Sequence, residues 1–124
     1  MEVRVPEAAA DGMPYVVEVS GDIDIATVDD LEGPVIAAVE IGRGPLIIDL
    51  SECPFIDSSG IRLLIRSHRR LVANNGLRPP MAIIAHDHVA KLLRLTAVDK
   101  VLPVVGSRED AERALAGMPG RDEH

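Results

Sequence analysis

The chain has 124 residues, 47% of them hydrophobic, which suffices for one ordinary core and argues against a second domain. A formal net charge of −7 disfavours a nucleic-acid surface and acidic partners; Cys53 as the only cysteine excludes an internal disulfide or a Cys-built zinc site and suits a reducing compartment; Tyr15 and Phe55 as the only aromatics leave no platform for stacking bases or sugars. The first residues lack a basic stretch followed by an apolar run, and no segment approaches the roughly 18 apolar residues of a membrane span, so a cytoplasmic protein with no membrane contact is expected.

Short β-branched runs alternate with stretches of helical period, the pattern of an α/β domain. Glu2-Val3-Arg4-Val5 alternates like an edge strand, and Ala9 to Pro14 reads as a turn. Tyr15–Val19 is a more central strand. Val28, Leu31, Val35, Ala38 and Val39 then mark the apolar stripe of a helix that Pro34 should kink or restart. Leu46–Leu50 is a second central strand. The clearest helix runs from Ser58 to about Asn74, with Ile61, Leu64, Ile65, Leu71 and Val72 on its apolar face and Arg62, Arg66, Arg69 and Arg70 on the other; Asn74-Asn75-Gly76 is its stop signal. After a loop from Asn75 to Pro80, Met81–Ala85 is a strand and Asp87–Leu95 a helix carrying Val89, Leu92 and Leu93. Val101–Val104 is the weakest strand, confined to an edge because Pro103 cannot donate to a ladder. A last helix covers Ser107 to about Ala116, with Ser107 as N-cap and Asp110 three places on. The domain is expected to span 1–117, with 118–124 as a frayed tail.

The loops at the carboxyl ends of parallel strands gather at one pole, where partners usually bind. That pole should collect Gly21-Asp22-Ile23-Asp24, the segment from Ser51 to Gly60, and His86. Pro54-Phe55-Ile56 should tuck the loop against the core, and Asp57-Ser58-Ser59 offers three residues suited to cap the long helix, more than one cap needs. Gly60 in the first turn costs about 0.5–1 kcal/mol relative to Ala. Either a partner comes close there, or the glycine packs tightly against the loop after the third strand. A phosphoryl group on Ser58 or Ser59 would sit at a helix N-terminus, which tolerates negative charge, so its effect should be felt by a partner and not by the fold. Arg62, four residues after Ser58, is placed to pair with it.

Other readings have weaker support. Asp22, Asp24 and Asp49 imitate the acidic site of a receiver domain, but Lys100 precedes the last strand and so lies at the wrong pole. A serine hydrolase would use Ser58 or Ser59 with His68, His86 or His88. The chain lacks a Gly-x-Ser-x-Gly elbow, His68 falls on the apolar stripe as a packed core-edge residue, and His86 and His88 are expected exposed and unpaired at a helix start. Cys53 reads as a small buried hydrophobe more readily than as a redox handle.

Val19-Ser20-Gly21-Asp22-Ile23-Asp24, Leu46-Ile47-Ile48-Asp49-Leu50-Ser51 and Phe55-Ile56-Asp57-Ser58-Ser59-Gly60-Ile61 together resemble the STAS domains, and specifically the stand-alone bacterial anti-sigma-factor antagonists. The first block is similar to the family's Gly-Glu-Leu-Asp element. The resemblance implies a single STAS-type domain of α/β class, a mixed sheet of four to five strands with about four helices packed mostly on one side. It implies a partner-switching antagonist and not an enzyme. Unphosphorylated, such a protein binds an anti-sigma factor that is itself a serine/threonine kinase; the kinase modifies the serine after the Asp, here Ser58 with Ser59 as runner-up, and a serine phosphatase resets it. Asp22, Asp24, Asp57, Ser59, Gly60, Ile61 and Arg62 are the partner-binding residues so implied; Arg62 stands where some antagonists have a second glycine and others a charged residue. ATP and magnesium belong to the kinase, so no cofactor or metal is expected in this chain. Some STAS domains instead serve as accessory subunits of transporters or of stress-sensing assemblies, roles in which the Asp-Ser-Ser-Gly block has less evident use.

Overall fold

The computed structural model describes residues 1–5, 14–41, 45–75 and 81–121. Five strands, β1 (Glu2–Arg4), β2 (Tyr15–Ser20), β3 (Leu46–Glu52), β4 (Met81–Ile84) and β5 (Val104–Val105), pair in the order β1-β2-β3-β4-β5. β1 is antiparallel to β2, and the other neighbours are parallel. The sheet is therefore mixed, as expected, with an antiparallel pair at one edge. The central strands are the least polar: all four residues of β4 are buried, and Leu46, Ile47, Ile48 and Leu50 of β3 are as well. Strands covered on both faces read as such continuous apolar runs.

Helices α1 (Val28–Ile41), α2 (Ser58–Asn75) and α3 (Asp87–Leu95) cover one face, and α4 (Arg108–Arg121) covers the other. The pleat sorts the strands accordingly. Val17, Val19, Leu46, Ile48, Leu50, Met81 and Ile83 join Leu31, Val35, Leu64, Leu71 and Leu93 in the larger core; Ile47, Ala82 and Ile84 meet Ala111 and Leu115 of α4 in the smaller.

Several elements differ from the sequence reading. α1 continues through Pro34 as one helix instead of restarting; the carbonyl deprived of its i+4 N–H donor is that of Asp30, an exposed residue where water can satisfy it. On α2 the buried stripe runs through Leu63, Leu64, Ser67, His68 and Leu71, while Val72 is 39% exposed, because 100° per residue carries position 72 past the face that 64 and 71 share. A 3-10 turn, α-like but tighter, occupies Val98–Lys100 and seats Val98 in the core, so the chain becomes extended only from Pro103 and β5 falls at 104–105, not 101–104. Pro103 does sit at the edge, and its carbonyl accepts from the Ile83 N–H at 2.9 Å. α4 runs to Arg121, four residues into the segment read as tail, and it starts on the expected cap, with the Ser107 hydroxyl accepting from the Asp110 N–H at 3.1 Å. Positions 9–13 and 76–80, read as loops, lie outside the described residues, as do 122–124.

Candidate functional site

Two loops leave adjacent parallel strands and remain zipped together past the sheet. The Gly21 N–H donates to the Glu52 carbonyl at 3.1 Å, Ile23 N–H to Phe55 at 2.9 Å, and Asp57 N–H to Ile23 at 3.0 Å, closing an isolated parallel bridge between Ile23 and Ile56. Both isoleucines are buried and anchor the pair to the core. Gly21 turns the first loop with φ +95°, a conformation that L side chains rarely adopt. The two loops thus form one hydrogen-bonded platform at the strand ends.

Asp57 joins its parts. Oδ1 accepts from the Ser59 N–H at 2.9 Å, the Ser59 hydroxyl at 2.5 Å and the Gly60 N–H at 3.4 Å, making Asp57 the N-cap of α2. Oδ2 accepts from the Ile25 N–H at 3.2 Å, across to the other loop. Donation from the Ser59 hydroxyl, ahead of the backbone N–H groups of Gly60, Ser59 and Ile25, holds the Asp57 carboxyl below the usual carboxylate range, so it is ionised at neutral pH.

The serines therefore part company. Ser59 is buried, its hydroxyl committed to Asp57. Ser58 is exposed, and its hydroxyl has no hydrogen-bond partner among the described residues. Gly60 is buried too, and a Cβ there would lie 2.7 Å from Ile23 Cγ2 and 2.7 Å from Ile56 Cγ1. Of the two reasons for a glycine at this position, tight packing against the zipped loops is the one the geometry supplies. Ile61 is half-buried and Arg62 exposed.

Asp22 is exposed, whereas Asp24 builds its own loop. Its Oδ1 accepts from the Ala26 N–H at 2.9 Å and the Thr27 N–H at 3.1 Å, and Thr27 Oγ1 donates to the Asp22 carbonyl at 2.9 Å. This brace presents Ile25 at 75% exposure, directly beside Asp57, and Phe55 adds an apolar face at 40%. Sequence reasoning passed over Ile25 and placed Phe55 inside. An isoleucine amid Asp24, Thr27 and Asp29, off the helical stripe begun by Val28, was the available signal.

The remaining candidates scatter. Asp49 bonds Ser51 and lies 3.9 Å from Arg108 on the α4 side, and Lys100 lies in the turn before β5, so no receiver-type cluster forms. His68 is buried at the core edge as expected; its Nε2 has no hydrogen-bond partner among the described residues, and burial lowers its pKa. His86 and His88 are exposed at the start of α3 but not unpaired: His86 Nε2 sits 2.7 Å from the Gly106 carbonyl, and the His88 ring stacks on Phe55 with centroids 6.4 Å apart. No histidine bonds either serine among the described residues. Cys53 is buried, donates to the Phe55 carbonyl, and has its pKa raised by burial, the profile of a structural thiol. No group of three metal-ligating side chains occurs among the described residues, and no helix there is long and apolar enough to cross a membrane.

No curated protein matches the chain by sequence. Among solved structures, an anti-sigma factor antagonist from Mycobacterium paratuberculosis superposes with a TM-score of 0.81 at 29% identity, over 93% of this chain and 93% of its own. The anti-sigma factor antagonist SpoIIAA in its unphosphorylated form gives 0.63 at 18% identity over 88% and 92%, and the phosphorylated form of the Bacillus protein gives 0.62 at 17% over 90% and 98%; at such identities the likeness is one of fold. The STAS domain model matches residues 5–111, nearly the whole length, and the chain belongs to the STAS domain family.

Proposed function

We propose that this STAS domain is an anti-sigma-factor antagonist in a partner-switching pathway: unphosphorylated, it docks its Ser58 pole on an anti-sigma factor that is also a serine kinase, and phosphorylation of Ser58 releases it. The observation that carries the reading is the division of labour among three consecutive residues. Asp57 caps α2, Ser59 is spent on Asp57, and Ser58 is left exposed on the first helical residue with its hydroxyl uncommitted. The Mycobacterium paratuberculosis antagonist, alike over 93% of both chains, supports the same role.

Phosphorylation adds roughly −1.5 to −2 charges at the N-terminus of α2, where free N–H groups and the helix dipole accommodate an anion. The fold need not respond; unphosphorylated and phosphorylated SpoIIAA resemble this chain to the same degree. The contact surface does respond. The new charge stands beside ionised Asp57 and near Asp22, Ile25 and Phe55, where a partner would have to desolvate it. A loss of about 3–4 kcal/mol weakens a complex by some two to three orders of magnitude. Arg62, one turn along, pairs with the phosphoryl group once it is present. Gly60 and Ser59 act from within by shaping the platform, whereas Asp22, Ile25, Ile61 and Arg62 are the side chains offered to the partner.

In this cycle the kinase brings ATP and magnesium, a serine phosphatase restores the hydroxyl, and the antagonist is a binding switch with no chemistry of its own. The setting is the cytoplasm, where the sigma factor works. Incubation with candidate anti-sigma kinases and ATP, followed by mass spectrometry and binding assays on Ser58→Ala and Ser58→Asp, tests it. Ala should bind the kinase and resist modification, and Asp should bind weakly; equal affinity of the two variants would refute the reading.

A further inference from the structure

Away from the Ser58 pole, a groove of about 490 Å³ lies between α1 and α2. Ile36, Val39 and Leu63 contribute apolar walls, and Arg66, Arg69 and Arg70 line the α2 side. These arginines continue along α2 the line begun by Arg62 at the Ser58 pole, so that exposed guanidiniums recur at i, i+4, i+7 and i+8 over about 12 Å of helix. They belong to a chain whose net charge is −7, so the row is a local reversal of the whole. Glu32, 3.7 Å from Arg66, is the one carboxylate paired with the row among the described residues. Like charges at helical spacing repel one another, and an anionic partner would relieve that repulsion.

The arrangement discriminates between ligands. A compact anion such as phosphate calls for cations converging on a point, but these are strung along an axis beside an apolar floor at which Ile36 is half-exposed above buried Val39 and Leu63. An anionic bilayer would have to reach that floor while repelling the rest of a strongly acidic protein. A rod with carboxylates on one flank and aliphatic side chains on the next meets both features, as in helix-in-groove recognition.

We propose that the α1–α2 groove docks an acidic amphipathic helix of a partner protein, at a site separate from the Ser58 pole. This requires nothing of the switch at Ser58, and either can fail alone.

The probe is a labelled synthetic helix of about four turns, with Leu and Ala on one face and Glu at i, i+4 and i+7 beside it, titrated with the full chain and followed by fluorescence anisotropy. Saturable binding is expected, weakening with salt and falling by about tenfold or more in the exposed-position variant R66E/R69E/R70E. I36E should also lose binding through the floor. Ser58→Asp should change the affinity by less than about twofold. The proposal is overturned if the acidic helix fails to saturate, if its Lys-for-Glu counterpart binds as well, or if charge reversal leaves affinity unchanged. Loss of binding in Ser58→Asp would move the contact to the pole, and binding of phosphatidylglycerol vesicles in place of the peptide would assign the row to a membrane; either result overturns it too.

Discussion

Ser58, Ser59 and Gly60 are consecutive in the chain and meet three environments: solvent, a carboxylate, and two packed isoleucines. That Asp57-Ser58-Ser59 held more capping groups than one helix needs was legible in the sequence; which serine was surplus was not, because it depends on where the loop from Gly21 to Thr27 lies. Gly60 makes the same point. Replacing it by Ala gains helix propensity of about 0.5–1 kcal/mol, but the new methyl meets stiff, buried side chains that cannot move aside, an overpacking cost of about 1–3 kcal/mol. Gly60→Ala should therefore be destabilised in urea unfolding by roughly 1–2 kcal/mol. Ser59→Ala removes the main donor that depresses Asp57. A depressed carboxyl stabilises the fold above its unfolded pKa and ceases to do so as pH falls through the folded one, so the variant should show a higher Asp57 pKa by NMR titration and a shallower loss of stability in acid. His68 runs on the same sign for a different charge. Kept neutral by burial, it contributes full stability above the ordinary imidazole pKa near 6.5 and loses it as pH falls below that value, because the unfolded chain takes up the proton first. His68→Leu should flatten the fall of melting temperature as pH drops below about 6.5; an unchanged slope would show that another group sets it.

At the scale of elements, α2 carries the proposed switch residue at its start and a buried stripe of the helical layer along its length. A negative charge at its first residue interacts favourably with the helix dipole, typically by about 0.3–1 kcal/mol, so Ser58→Asp should melt at or slightly above the temperature of the parent even as it loses its partner. α4 has a different character, since it closes the second face of the sheet with Ala111 and Leu115. Leu115→Ala should cost about 2–4 kcal/mol in unfolding without altering the proposed phosphorylation of Ser58. Most of this was readable in advance: the β2, β3 and β4 cores, the helical periods of α1 and α3 and the Ser107 cap all follow from local pattern. What the pattern missed were one misjudged helical angle and places where tertiary contact overrules local sequence. Val72 was drawn into the apolar stripe by its type, though its angle on the helix puts it outside. Val101 and Leu102 read as strand, whereas the buried Val98 beside them tightens the chain into a turn first. Ile25 was overlooked because its exposure depends on an Asp24–Thr27 brace that no periodicity announces.

For the whole molecule, a sheet with parallel strands at its centre brings the β2 and β3 loops to one pole and leaves the helical layer to hold them still. The acidic chain then presents that pole as a mixed surface: exposed Asp22 and ionised Asp57, apolar Ile25 and Phe55, and the first arginine of the α2 row. Charge added there alters what the surface can meet and leaves two separate cores untouched. Calorimetric titration of one anti-sigma kinase with the unmodified and the Ser58-phosphorylated chain, each also melted by circular dichroism, measures both halves of that claim together. The account predicts a hundred- to thousandfold weaker complex, about 3–4 kcal/mol, at an unchanged melting temperature; equal affinities, or a phosphorylated chain that has lost its fold, would contradict it.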